Sequence, residues 1–133
     1  MKPNLGQGRG PGLVVSLQAV VKAVFVGIMV YVGLALVATV VISFYANLEL
    51  QLPLFAFVAQ YAAAFMAAMA AGIMADRWGW AHGLGSGIAF MGLISLAAVF
   101  LLPVTPTFSA TLLWRLLPGL LLGLGGGIIG ANL

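Results

Sequence analysis

The chain has no cysteine. That excludes disulfides, thiolate metal sites and cysteine nucleophiles together, and it leaves the redox state of the compartment unmarked. Charge is nearly missing as well: of 133 residues, five are Lys or Arg and two are Asp or Glu. A soluble domain is about 25% charged, so a water-facing shell on this composition would have too little polar surface. The single histidine, His82, rules out a His-rich metal site. The two acids, Glu49 and Asp76, lie at opposite ends of an apolar run and cannot work as a carboxylate pair. No glycine-rich loop follows a strand, and Gly83-Leu84-Gly85-Ser86-Gly87 reads as helix packing rather than a phosphate cradle. The sequence therefore offers no catalytic residue, no cofactor site and no metal ligand. The expectation is a protein that is not an enzyme.

What the chain does have is apolar length. It is 64% hydrophobic, with a mean hydropathy of +1.23. Lys2, Arg9, Lys22, Glu49, Asp76, Arg77 and Arg115 are its only charges, and none falls near the middle of an apolar run. A hydrocarbon core of about 30 Å takes roughly 20 residues of helix. The prediction is an all-α integral membrane bundle of four transmembrane helices, at about 23–45, 54–75, 81–102 and 110–131. Residues 1–12, rich in Gly and Pro, read as a flexible tail, and 13–133 as one transmembrane domain. Leu13, Leu17, Val20 and Val21 share a helical face, which makes 13–22 either a short interfacial helix or, as preferred here, the opening turns of the first span. That first run is too long for a signal-peptide core, and Ser43-Phe44-Tyr45 makes a poor cleavage site.

The connections are short. Pro53 suits the first turn of the second helix. Pro103 and Pro106 stiffen the loop before the fourth, and Pro118 is expected to kink that helix by freeing the carbonyl of Trp114. Lys2, Arg9, Lys22 and Arg77 collect on one side and Arg115 alone on the other, so both termini are expected on the cytoplasmic side. The net charge of +3 does not point to nucleic acid, because the basic residues are scattered without a cluster or an aromatic platform. The lipid bilayer is the partner they suit.

Helices in lipid associate through small residues that let backbones approach. The second span supplies Ala63, Ala67, Ala71 and Ala75, with Ala64, Ala68 and Gly72 beside them. The third has Gly79, Gly83 and Gly87; the fourth has Gly119, Gly123 and Gly127 in one row and Gly126 with Gly130 in another. These faces pack within one copy, or the fourth helix offers its row to a second copy or another membrane protein. Spacing does not separate the two. Ala71-Gly72-Ile73-Met74-Ala75 also echoes Gly126-Gly127-Ile128-Ile129-Gly130, as a doubled hairpin would.

Three polar features stand out. Thr39, Gln60 and Ser95 fall at similar depth if each span is centred. They are either interhelical hydrogen-bonding glue or the wall of a narrow pore. Asp76, Arg77, Trp78, Trp80 and His82 form a turn that either anchors at headgroup level or docks a partner, with His82 either a titrating group or a plain hydrogen-bond donor. Arg115 either snorkels to the headgroups or pairs with Glu49 across the outer surface. The middle of every span has no ionisable group, against the usual pattern of proton-coupled transport.

The run Ala71-Gly72-Ile73-Met74-Ala75-Asp76-Arg77-Trp78-Gly79-Trp80-Ala81-His82-Gly83 resembles the central signature of the YrzE-like four-helix membrane proteins of Gram-positive bacteria. The closing Gly125-Gly126-Gly127-Ile128-Ile129-Gly130-Ala131-Asn132-Leu133 resembles that family's glycine-rich end. The resemblance implies a multi-pass protein of a bacterial plasma membrane and carries no established activity. The function expected is an accessory or assembly subunit acting through helix–helix and turn contacts with a membrane-protein partner. The alternative is a minimal homo-oligomeric channel or transporter with Thr39, Gln60 and Ser95 facing the pore.

Overall fold

The computed structural model describes residues 16–45, 50–75, 78–101 and 110–133, the side chains of 110–113 and 115 excepted. The expected tail over 1–12, together with Glu49, Asp76, Arg77 and the proposed Arg115–Glu49 pair, lies outside the described residues and side chains. The fold is all-α. Its four helices are α1, Leu17–Phe44; α2, Leu52–Ile73; α3, Gly79–Leu101; and α4, Ala110–Ala131. The first three are long and apolar enough to cross a membrane, and Leu116–Ala131 of α4 is a shorter apolar stretch. At about 1.5 Å per residue, the 22 residues of α2 reach about 33 Å, close to the thickness of a hydrocarbon core.

Helix α1 opens at Leu17, ahead of the expected start at 23. Ser16 caps it, its Oγ accepting from the amide of Ala19 at 3.5 Å, as serine at an N-cap does. The preferred reading of 13–22 as opening turns therefore holds from Leu17 onward. Lys22, just ahead of the expected start, is exposed within the helix, where a long aliphatic stem lets a charge lie alongside an apolar face. Pro53 occupies the first turn of α2, where its missing amide costs nothing. Helix α4 continues through Pro118 without a break in its helical assignment.

Helices α2 and α3 pack on each other and on both remaining helices, whereas α1 and α4 share no contact among the described residues. The cross-section is thus a rhombus with α2 and α3 on the short diagonal. Burial is uneven along its length. Toward one end lie Ala19, Ala23 and Gly27 of α1, the Ala59–Gly72 stretch of α2, the Gly79–Met91 stretch of α3 and the small residues of α4. Beyond them α2 from 50 to 58 and α3 from 92 to 101 bury no residue, and α1 past Ile28 buries only Ile42. A tight half therefore meets a flared half lined by Val, Leu and Phe.

The division follows from side-chain size. Ala63, Ala64, Ala67, Ala68 and Ala71 have no exposed surface, and alanine or glycine at four-residue spacing brings helix axes close. Bulkier residues hold the axes apart elsewhere. Phe90 and Met91 close the tight half, with Val24, Ile28, Tyr31, Tyr61 and Leu116 packed around them. Tyr31 meets the Phe90 ring edge-on at 6.5 Å between centroids.

Candidate functional site

The glycine rows of α4 lie inside the chain. A Cβ built on Gly127 would meet the Gly79 carbonyl oxygen at 2.6 Å and the Gly83 Cα at 2.8 Å. One on Gly83 would run into the backbone of Gly127 and Gly123 in return, and one on Gly123 would come within 3.2 Å of the Gly83 carbonyl oxygen. A Cβ on Gly87 would lie 3.2 Å from the Gly123 Cα, and one on Gly119 would meet the flexible end of Met91. The second row points to α2: Gly126 would meet the Phe65 carbonyl oxygen at 2.7 Å, and Gly130 would collide with that of Met69. Gly72 of α2 reaches Gly127 and Ala131, so the two echoing segments pack on one another. All eight glycines singled out on α3 and α4 are used between helices of one copy.

The polar trio is not joined. Thr39 is exposed and its Oγ1 donates to the Ala35 carbonyl one turn back at 2.8 Å. Gln60 is half-buried, its Nε2 donating to the Met91 Sδ at 3.4 Å. Ser95 is half-buried on α3. Sequence reasoning missed Ser86, which is fully buried and donates to the Gly83 carbonyl at 3.0 Å within its own helix. Among the described residues every buried side-chain nitrogen and oxygen has a hydrogen-bond partner.

The third cluster lies at the tight end, where α1 and α3 begin and α2 and α4 finish. Trp78 precedes α3 with φ 60°, the one non-glycine residue of positive φ among those described. Left-handed backbone costs an ordinary residue about 1–2 kcal/mol. Its carbonyl is heavily used: it accepts from the amides of Ala81 at 2.9 Å and His82 at 3.2 Å. The Nδ1 of His82 lies 3.1 Å from the same oxygen, while Nε2 accepts from the Ser16 amide at 2.9 Å. An amide can only donate, so Nε2 carries the lone pair and Nδ1 the proton, donated to Trp78; the partners assign this tautomer. The sequence leaves His82 as either a titrating group or a plain donor, and here its ring both donates and accepts.

His82 is 4% exposed, while Trp78 and Trp80 are 54% and 40% exposed. The two indoles meet edge-on, 5.9 Å between centroids. Beside them is an open depression of about 500 Å³, lined by both tryptophans, Gly79, Ile128, Ala131 and Asn132. The Asn132 side chain donates to the Ile128 carbonyl at 2.7 Å, which fixes the α4 side of its rim. The arrangement presents two exposed indoles beside a depression, carried on a hydrogen-bonded turn.

A family model described as "Protein of unknown function (DUF3792)" matches residues 16–130, all four helices but for a final residue. No curated protein and no solved structure matches the chain.

Proposed function

The chain belongs to the DUF3792 family, proteins of unknown function, and from that premise we propose a non-enzymatic accessory or assembly subunit of a membrane complex. In this reading all four helices span a bacterial plasma membrane with both termini cytoplasmic, and the narrower likeness to YrzE-like proteins rests on the two glycine-bearing motifs. The contact surface is the tryptophan end, where Trp78, Trp80 and the depression beside them face outward. Asp76 and Arg77 adjoin it in sequence.

The supporting observation is how the molecule divides its surfaces. The glycine faces are filled by neighbouring helices of the same copy, whereas the exposed indole pair rests on a left-handed, multiply hydrogen-bonded turn. Preformed aromatic surfaces on rigid supports suit recognition, because little is lost in ordering them. Backbone-to-backbone contact between α3 and α4 also leaves no room for a solute between those helices. A channel would therefore need several copies.

The test is a photoreactive residue in place of Trp80 in native membranes, with the same probe at Gly33, which has open space around it. One distinct membrane protein captured from position 80 and not from 33 supports the accessory reading. Crosslinks only to a second copy overturn it in favour of an oligomeric channel, and flux assays in liposomes on Gln60 variants then decide.

A further inference from the structure

We propose that His82 is a proton-operated latch that ties the start of α1 to α3, and that acidification at this end of the bundle releases it. The proposal concerns how the chain holds its own first helix and does not rest on the docking reading.

The geometry admits one protonation state. Nε2 accepts the Ser16 amide at 2.9 Å and Nδ1 donates to the Trp78 carbonyl at 3.1 Å, which uses both nitrogens of the neutral ring. A second proton on Nε2 removes the acceptor and sets N–H against N–H. The Ser16 amide precedes the first turn of α1, where no intrahelical carbonyl is available to replace the lost partner. The bond spans 66 residues of sequence. Apart from it, α1 is seated at this end by Ala19 and Ala23.

No described charge steadies an imidazolium there. Helix α1 brings Lys22, which is exposed, with Tyr31 farther along. Helix α2 brings only the phenol of Tyr61; α3 has no second ionisable group. Helix α4 offers no ionisable side chain from Leu116 onward. Asp76 and Arg77, in the connection before Trp78, and Lys2 and Arg9, in the segment before Ser16, lie outside the described residues. The Trp78 carbonyl is held by the amides of Ala81 and His82, so in this proposal the capped end of α1 is the partner that moves away from the protonated ring.

The experiment uses the full chain in liposomes. It has no cysteine, so Gln18→Cys and Ile88→Cys, both exposed, take spin labels without background. Interspin distances are read at pH 8 and pH 5. The expected result is one short population at pH 8 and its loss to longer distances at pH 5. His82→Gln, whose Oε1 accepts without titrating, keeps the short population at both; His82→Ala lacks it at both. Unchanged distances in the parent protein, or an equal shift in His82→Gln, overturn the latch. Since His82 is the only histidine, its imidazole ¹⁵N signal supplies a second reading without any variant at that position. Ring protonation and helix release must share a midpoint, and protonation without release refutes the proposal.

Discussion

Adding a single methyl group to Gly127 tests the α3–α4 seam most directly. A Cβ there starts 2.6 Å from the Gly79 carbonyl oxygen and 2.8 Å from the Gly83 Cα, and ordinary contact begins near 3.4 Å. Both obstacles are backbone, so no side chain can swing aside and the helices must part. Overpacking of this kind costs about 1–3 kcal/mol. Against it stands the gain from replacing glycine by alanine in a helix, about 1 kcal/mol. Gly125→Ala collects the same gain two residues away, where nothing lies within 4 Å. The difference between the two variants isolates the clash, and it is expected to be about 1–3 kcal/mol in reversible SDS unfolding from mixed micelles. Gly127→Ala falls below the parent or matches it; Gly125→Ala rises above it. Equal stability of the two variants, or a Gly127→Ala protein firmer than Gly125→Ala, would refute a seam built on backbone contact.

Other substitutions read other parts of the bundle. Phe90→Ala should lose about 3 kcal/mol, the low end for Phe→Ala, because helices in lipid lack a hydrophobic term between them; an effect below 1 kcal/mol in the same titration would mean that α1 is not held by this ring. Trp78→Val should be less stable than Trp78→Gly by at least about 1 kcal/mol, since a β-branched residue tolerates left-handed backbone worst; the reverse order would deny the φ of 60°. Gln60→Leu removes one bond to a thioether and should cost no more than about 0.6 kcal/mol, the average for such contacts in a membrane, so a loss of several would show a polar network that the geometry does not contain.

The helices were legible because apolar run length and the prolines mark them. Helix α4 begins and ends where expected, and α2 and α3 start two residues early. Helix α1 starts six residues before the expected 23, because a snorkelling lysine such as Lys22 is compatible with a continuing helix. The small-residue faces were visible from spacing, but not which neighbour each would meet. Gly119, Gly123 and Gly127 turn to α3 while Gly126 and Gly130 turn to α2, a choice fixed by the rhombic arrangement rather than by any one helix. The polar layer was inferred from depth alone. Depth omits rotation about the helix axis, which points Thr39 outward. The pairing of His82 with Ser16 left one trace, a serine heading an apolar run, which signals a cap and says nothing of a partner far along the chain.

The composition of the tight half has a thermal meaning. Burying a leucine or methionine freezes rotamers, at a cost of about 0.5–2 kcal/mol each, whereas glycine and alanine have none to lose. On α2 the buried residues are Ala59, Ala63, Ala64, Ala67, Ala68, Ala71 and Gly72. The seams they make with α1, α3 and α4 therefore form almost without side-chain entropy loss, and only a few residues such as Phe90, Met91 and His82 are immobilised. In the flared half Val32, Leu36, Val40, Leu54, Val58, Leu96 and Val99 remain exposed and keep their rotamers. The buried seams of the tight half are thus ordered chiefly by backbone shape, at little cost in side-chain freedom.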